Sequence, residues 1–365
     1  MEREASISRL QLFFFILQSQ VGVSILSMPY ATFKVAKTDS WLVVILSGLL
    51  VQVFIFVIWM ISKRFPNRTY FEIQEKIVGK TMGNILTIAY TIYFLLATSM
   101  FLSVFSTIIK LWLLPTTPHW VMILPMLAIS VYMVKENLQI LSRFFVLTAI
   151  FFVFFFLLTL YSFQYANIFY LLPIGNTGVV PILKGMWAGL PSFLGFEMLL
   201  LIFPYVQATN RTKLKVTTYA NICTTCFYTF LTLACTLFFS PKEILLIPQP
   251  VLYLIKSFEL SIIERPDIVF TSSWIMIVSS TIMAFLYAAS KGAAHVLRSY
   301  HRTTCTYWGA CFVFFITSVC NETSLLPLLS NIVSTSGLLC AGVIPTGLLL
   351  LSFLLKKNDQ QGDCV

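Results

Sequence analysis

Residues 189–197 read Gly-Leu-Pro-Ser-Phe-Leu-Gly-Phe-Glu, in the middle of an otherwise hydrophobic segment over residues 182–207. A second hydrophobic segment, residues 9–35, is interrupted in the same way by the run Gln-Val-Gly-Val-Ser at residues 20–24 and by Pro29. Glycine weakens a helix and an internal proline breaks its hydrogen bonding, so each interruption frees backbone N–H and C=O groups. The two stretches therefore predict a pair of broken helices, and they decide the fold.

The composition of the whole chain indicates that its solvent is lipid. Hydrophobic residues make up 58% of the 365 residues and charged residues only 10%, and the mean hydropathy is +0.88. A soluble domain carries about 25% charged residues. Inside a bilayer only helices and closed barrels satisfy the backbone, and apolar runs of about 20 residues have the length of transmembrane helices. We therefore predict an integral membrane protein built of helices.

Hydropathy divides the chain into ten predicted spans, in two halves of five. The interrupted segments begin each half, and paired interruptions at corresponding places are typical of an inverted-repeat transporter fold with a ligand site at the midplane. Alternatively, Gly22 and Gly195 only allow close helix packing. We predict an all-α protein with a 5+5 inverted repeat in one domain, residues 1–365, its halves covering about 1–165 and about 182–355. The predicted spans are residues 9–35, 40–61, 82–111, 119–135, 139–165, 182–207, 214–239, 267–291, 304–320 and 331–355.

The basic residues follow a positive-inside pattern. With both termini in the cytoplasm, 17 of the 24 Lys and Arg residues lie on the cytoplasmic side and seven on the outer side. Cytoplasmic loops of membrane proteins carry such an excess. We therefore predict a multi-pass membrane protein with both termini cytoplasmic. The formal net charge of +10 reflects topology, and no stripe of basic and aromatic residues indicates nucleic-acid binding.

Cysteine and histidine form no recognisable catalytic or metal-binding motif. Cys223-Thr-Thr-Cys226 has the spacing of a metal site, but it lies in an apolar span without a second Cys or His pair. His119, His295 and His301 lie at predicted membrane boundaries, with no Ser/His/acid set or Gly-rich phosphate motif around them. The sequence therefore predicts no enzyme activity, no metal and no cofactor.

Glu197 is the only acidic residue that we place well inside a span. A carboxyl group in hydrocarbon is costly, so it normally faces the bundle interior and is a functional candidate by default. One hypothesis is structural: a protonated Glu197 bonds backbone groups freed by the break, or a nearby Ser, Thr or Tyr. The other is that Glu197 contacts the ligand directly or couples to protons.

Two segments between spans are also informative. Residues 69–80 mix apolar and charged side chains at helical spacing, which predicts a short helix on the cytoplasmic interface. The outer segment, residues 241–267, is long for a connection in a compact bundle and partly apolar. It either caps the outer mouth of the site, or offers a surface to a partner, or packs back into the bundle.

Several motifs resemble one known family, the GerAB-type B subunits of nutrient germinant receptors in bacterial spores, and the resemblance covers nearly the whole chain. The first break is similar to the family's Gly-x-Gly-x-x-Thr-x-Pro, with Ser24 in place of the second glycine and Ser27 in place of the threonine. The most specific matches lie in the outer segment, since membrane insertion does not require them. The other matching motifs are Ser192-Phe193-Leu194-Gly195-Phe196-Glu197, Ser257-Phe258-Glu259 and Ile263-Glu264-Arg265, the last followed by Pro266 in place of phenylalanine.

The resemblance implies a fold similar to amino acid–polyamine–organocation transporters (LeuT/APC-like), used as a receptor that senses small nutrients. It also implies an A subunit and a C lipoprotein subunit as partners, in the spore inner membrane. By similarity, the nutrient pocket lies around the two broken helices together with the third and eighth spans. The matching residues are Gly22, Ser24, Ala97, Thr98, Phe193, Leu194, Gly195, Phe196, Ser280, Thr281 and Phe285.

Three functions remain open at this stage: a germinant-sensing receptor subunit, a proton-coupled amino acid permease using Glu197, and a structural or pore-forming subunit. Freed N–H groups at a half-helix N-terminus suit a carboxylate, and freed carbonyl groups suit an ammonium. A zwitterionic amino acid could bind there without ionic side chains, although a sugar or a nucleoside would also suit an uncharged site. The outer-segment motifs favour the receptor.

Overall fold

A computed structural model describes residues 6–258, 265–298, 300–323 and 325–358, and within these ranges the only β-type pairing is one isolated bridge. Eight helical stretches in this described part of the chain are long and apolar enough to cross a membrane. One of them, Met28–Arg64, joins the second half of the broken first span to the second span. Separating the two, and counting the shorter apolar helix His119–Val134, gives the ten predicted spans. Their ends differ from the predicted ones by at most five residues.

Within the described residues six spans are single helices, and the first, fifth, sixth and tenth are divided between two helices each. Helices α4 and α12 lie between spans. The helices are α1 (Arg9–Gln20), α2 (Met28–Ala36), α3 (Ser40–Arg64), α4 (Tyr70–Val78), α5 (Lys80–Trp112), α6 (His119–Val134), α7 (Leu138–Thr148), α8 (Ile150–Leu160), α9 (Val179–Gly189), α10 (Met198–Ile202), α11 (Asn210–Phe238), α12 (Pro250–Lys256), α13 (Pro266–Val296), α14 (Arg302–Thr323), α15 (Leu326–Leu338) and α16 (Ile344–Leu354).

The first span breaks where its sequence predicts. Helix α1 starts at a capping box, in which Ser8 N–H donates to Gln11 Oε1 at 2.7 Å and Ser8 Oγ accepts from the Gln11 N–H. After Gln20 the chain passes through extended backbone at Val21 and a 3₁₀ turn, Val23–Leu26. Helix α2 then starts with proline in its first turn, where a missing N–H leaves no hydrogen bond unmade.

The sixth span breaks around Gly195. Helix α9 continues as a 3₁₀ turn, Leu190–Phe193, and Leu194 is extended. Gly195 then has φ +124°, a conformation that other residues rarely adopt. Helix α10 follows after Glu197. The tenth span carries a smaller irregularity, a π-helical segment at Leu339–Val343 between α15 and α16.

The spans flanking the breaks form the interior of the bundle. The third span (α5) packs along the eighth (α13), the second (α3) packs along the seventh (α11), and α1 contacts α11, α7 and α13. The start of the first span and the end of the sixth are joined by a parallel bridge between Ile7 and Val206. Its hydrogen bonds run from Ile7 N to Tyr205 O and from Gln207 N to Ile7 O, both at 2.9 Å.

Both segments between spans are helical in part. The predicted short helix over residues 69–80 is α4, which starts at a Thr69–Glu72 capping box and buries Tyr70, Ile73 and Ile77. In the outer segment, α12 packs against the first break at Val23–Leu26 and against α2. It therefore covers the break, and four apolar side chains are buried there. They are Val251, Leu252, Leu254 and Ile255. Glu259, Ile263 and Glu264 of the family motifs lie outside the described residues.

Candidate functional site

The two broken spans touch at their breaks. A Cβ added to Gly195 would lie 2.7 Å from the backbone nitrogen of Gln20 and closer still to the carbonyl of Ser19. A Cβ added to Gly22 would lie 2.6 Å from Thr281 Oγ1 on the eighth span. The absence of a side chain at Gly195 therefore lets the two backbones touch. At Gly22 it lets the Thr281 side chain approach the backbone.

Hydroxyl groups from neighbouring spans bind the carbonyls that the breaks free. Thr281 Oγ1 donates to Gln18 O at 2.8 Å. Tyr228 Oη, on the seventh span, lies 3.0 Å from Gln20 O at the break of the first span. It also lies 3.1 Å from Ser192 O at the break of the sixth span. A buried backbone polar group without a partner is costly, so these contacts stabilise the broken geometry.

The side chain of Gln18 joins the first, fifth and eighth spans. Its Nε2 donates to Phe145 O at 3.0 Å and to Thr148 Oγ1 at 2.8 Å, and Thr148 Oγ1 lies 3.2 Å from Ser280 Oγ. Gln18 is fully buried, yet its Oε1 has no hydrogen-bond partner in the described part of the chain. Leaving a buried acceptor unsatisfied costs about 1–3 kcal/mol. An N–H donor from a ligand would recover that cost.

Gln20 and Asn221 extend the polar contacts to the second span. Gln20 Nε2 lies 3.4 Å from Phe193 O and from Asn221 Oδ1, and Thr224 Oγ1 donates to Gln20 Oε1 at 3.2 Å. Asn221 Nδ2 in turn donates to Gly48 O at 3.0 Å. Neutral amides and hydroxyls thus surround both breaks.

Glu197 is fully buried and joins the sixth span to the third. Its Oε2 accepts the N–H of Gly195 at 2.7 Å, and its Oε1 lies 2.7 Å from the hydroxyl of Tyr93. Neither partner is charged. The contact to Gly195 holds the break itself.

An aromatic cluster flanks the breaks on the side of the third and eighth spans. The ring of Phe285 lies 4.9 Å from that of Phe101, 5.9 Å from Phe94 and 6.3 Å from Tyr93. Ala97 is buried on the same helix as these partners of Phe285. Thr98, also buried, donates its hydroxyl to Phe94 O of its own helix at 2.7 Å.

The remaining candidate residues of the sixth break point to three different spans. The ring of Phe193 lies 5.2 Å from that of Tyr228, and the ring of Phe196 stacks 6.2 Å from that of Phe54 on the second span. Leu194 lies against Gly337 of the tenth span. Ser24 is half-buried. The break therefore brings Gly22, Gly195, Ser280 and Thr281 together with Gln18, whereas Phe193, Leu194 and Phe196 pack towards other spans.

Sequence reasoning missed several residues that form this junction. A usable signal was present, because an amide inside a hydrophobic span is costly unless it is bonded. Gln18 and Gln20 directly precede the first break, and Asn221 lies in the seventh span. The other missed residues, whose hydroxyl groups give no such signal in sequence, are Tyr93, Thr148, Thr224 and Tyr228. No group of three metal-ligating side chains occurs among the described residues.

Comparison with solved structures identifies the fold class. The nucleobase-cation-symport-1 family transporter Mhp1, in a closed conformation with bromovinylhydantoin bound, matches with a TM-score of 0.69 at 11% sequence identity. The match covers 97% of this chain and 79% of Mhp1. The chain therefore has the LeuT/APC-like transporter fold of ten spans with broken first and sixth helices.

Comparison of sequences identifies the family. Residues 6–325 match the family model described as spore germination protein, so the chain belongs to the spore germination protein family. GerQB of Bacillus cereus is 29% identical over 80% of this chain and 81% of its own length. YndE of Bacillus subtilis is 27% identical over 94% of this chain and 96% of its own length. The chain is thus a membrane protein of the germinant-receptor or permease type, and its family is not a family of enzymes.

Proposed function

We propose that this chain is the nutrient-binding membrane subunit of a spore germinant receptor, with its pocket at the junction of the two breaks. The observation that carries the proposal is the buried Oε1 of Gln18, which has no partner among the described residues and lies beside the Thr281 contact to the Gln18 carbonyl. An ammonium group is a suitable donor to that oxygen. The groups that contact Gln18 are neutral carbonyls and hydroxyls, so they suit a zwitterion such as an amino acid better than a ligand with net charge.

The proposed pocket has a polar side and an apolar side. Gln18, Ser280 and Thr281 form the polar side, next to Gly22 and Ser24. The apolar side comes from the third, sixth and eighth spans and receives the nutrient's side chain. It is formed by the buried residues Ala97, Thr98, Gly195 and Phe285, whereas Phe193, Leu194 and Phe196 pack towards other spans.

Enlarging Ala97 is expected to exclude nutrient from the apolar side. In Ala97→Leu the added atoms enter a fully buried position, and overpacking of this kind commonly costs about 1–3 kcal/mol, or roughly 5- to 150-fold in affinity. The measurement is a germination dose–response curve for several nutrients, with membrane abundance followed by immunoblot. We expect the half-maximal concentration to rise by that factor while the variant still accumulates.

The matched control is Ile92→Phe, which adds volume on the same helix at a side chain that is 47% exposed on the bundle surface. Its curves should coincide with those of the unaltered protein. If Ala97→Leu leaves every curve unchanged at normal abundance, the pocket lies elsewhere.

Removing the Thr281 hydroxyl tests the polar side at nearly constant volume. Thr281→Val removes the hydrogen bond to the backbone carbonyl of Gln18, which contributes about 1 kcal/mol. Without that bond, we expect Gln18 to shift relative to the ligand. We expect about a fivefold loss of sensitivity shared by all active amino acids. Equal loss for a nutrient without an ammonium group would contradict the assignment of Gln18 Oε1 to that group.

A proton-coupled permease is the second candidate, because Glu197 is a fully buried carboxyl group at the break. Radiolabelled nutrient and proteoliposomes distinguish the two functions. Sustained accumulation driven by a pH gradient supports transport, whereas saturable binding without flux supports sensing. Absence of both would favour a structural or pore-forming subunit.

The proposed receptor includes an A subunit and a C lipoprotein subunit in the spore inner membrane. Similarity to proteins named spore germination protein A2 and B2 of Bacillus subtilis, at 26% and 20% identity, supports assembly of this kind. Affinity purification of the tagged chain from spore membranes should recover both partners. Recovery of the chain alone under conditions that preserve other membrane complexes would contradict the proposal.

The proposed topology has both termini and α4 in the cytoplasm and α12 on the outer side. Position 246 is a sharp probe because Leu246 is 80% exposed, just before α12. In a background with the native cysteines replaced by serine, Leu246→Cys should react with an impermeant thiol reagent added outside. Arg211→Cys, on the opposite side, should react only after permeabilisation. The reverse pattern of labelling would show that the chain has the opposite orientation in the membrane.

A further inference from the structure

A groove on the bundle surface lies beside a basic pocket at the proposed cytoplasmic end. The groove has a volume of about 450 Å³ and runs between the third, eighth and ninth spans. Small residues form its floor and large exposed ones its walls: Trp308 is 73% exposed and Tyr300 is 56% exposed. The small residues are Ala289, Ala293, Cys305 and Gly309.

The basic pocket is continuous with the groove, because Leu297 and Tyr300 line both. Lys80 and Arg298 supply two cations to it. The Arg298 side chain is 53% exposed although it pairs with Glu75 at 2.8 Å. The third polar residue, Asn84, has a buried Oδ1 without a hydrogen-bond partner in the described part of the chain. The pocket therefore offers positive charge together with an unused acceptor.

We propose that this composite surface is a binding site for an anionic phospholipid, with one acyl chain in the groove and the phosphate between Lys80 and Arg298. A glycerol hydroxyl of the headgroup would donate to Asn84 Oδ1. Basic pockets between transmembrane helices on the cytoplasmic side are suited to anionic headgroups. The site is separate from the nutrient pocket, and it does not depend on the proposed function.

The length of the groove favours a lipid over a partner helix. On the ninth span it extends over nine residues, from Thr304 to Phe312, whose eight rises of 1.5 Å span about 12 Å. That is less than half of a hydrocarbon core about 30 Å thick, which matches an acyl chain of one leaflet. A transmembrane partner helix would be expected to contact the surface through both leaflets.

Quenching of Trp308 by brominated lipids tests the proposal on the whole chain. The protein is placed in phosphatidylcholine nanodiscs with increasing fractions of either brominated phosphatidylglycerol or brominated phosphatidylcholine. The Trp308 signal is the difference between the protein and its Trp308→Phe variant, and Trp187 on α9, which is 54% exposed, is measured in the same way. We expect Trp308 to be half-quenched at a roughly 5- to 30-fold lower fraction of the anionic lipid, and Trp187 to show no such preference.

The charge requirement is tested with matched double variants. Lys80→Gln with Arg298→Gln should abolish the preference at Trp308, whereas Arg211→Gln with Lys215→Gln, which removes two exposed cations at the same proposed membrane face, should preserve it. Thermal unfolding checks that both variants fold. The proposed lipid site would be contradicted if both lipids quenched Trp308 equally in the unaltered protein. It would also be contradicted if both double variants lost the preference for the anionic lipid, or if Lys80→Gln with Arg298→Gln kept it. Protection of Trp308 from both lipids would also overturn it, because a protein helix would then cover the groove.

Discussion

Gly195→Ala is expected to prevent the chain from accumulating as folded protein in the membrane. The added Cβ would meet the backbone of Ser19 and Gln20, neither of which is the end of a flexible side chain, and Gly195 has φ +124°. Backbone strain of this kind costs about 1–3 kcal/mol and overpacking another 1–3 kcal/mol, about 2–6 kcal/mol in all. Since folded proteins are stable by only about 5–15 kcal/mol, that is a large share.

The measurement is membrane abundance by immunoblot together with thermal unfolding of purified protein. Gly347→Ala is the matched control, because a Cβ there meets nothing within 4 Å and the residue lies within helix α16. Alanine is the better helix former, so this variant should fold normally. Normal abundance and unfolding temperature for Gly195→Ala would show that the two breaks do not meet as described.

Glu197→Gln and Glu197→Ala are expected to differ strongly in the amount of folded protein. Glutamine can accept the Gly195 N–H with its oxygen and donate to the Tyr93 oxygen with its amide, so both contacts survive in a neutral form. Alanine leaves two buried polar groups without partners, at about 1–3 kcal/mol each. We therefore expect Glu197→Gln to keep its abundance and much of the nutrient response, and Glu197→Ala to lose folded protein.

Tyr93→Phe provides an intermediate case, because it removes one contact of Glu197 and leaves the contact to Gly195. Its unfolding temperature should lie between those of the two Glu197 variants. The decisive opposite outcome is equal loss of nutrient response in Glu197→Gln and Glu197→Ala at normal protein levels. In that case the carboxyl group acts by its charge or its proton, and that result would favour the proton-coupled permease.

Sequence patterns predicted the features that depend on the bilayer. All ten spans, the two breaks and helix α4 follow from hydropathy, from glycine and proline, and from helical periodicity, because lipid imposes strict lengths and strict backbone bonding. The placement of Glu197 beside a break was likewise readable, since an isolated acidic residue in a span is rare. The fold match confirms the inverted-repeat class.

The contacts within the site were not readable from the sequence. Gly195 was identified as a break residue, but its closeness to Ser19 and Gln20 depends on how two distant spans cross. Phe193, Leu194 and Phe196 are consecutive or nearly so, yet they pack towards the seventh, tenth and second spans because the backbone turns at each step. Hydroxyl groups such as those of Tyr228 and Thr148 gain their roles only through tertiary packing.

The bridge between Ile7 and Val206 has a mechanical consequence. Two backbone hydrogen bonds couple the segment before α1 to the segment after α10, so these two helices are fastened together at the ends that lie away from the breaks. The other end of each helix lies at a break. A rearrangement at either break is therefore expected to move both of these ends together.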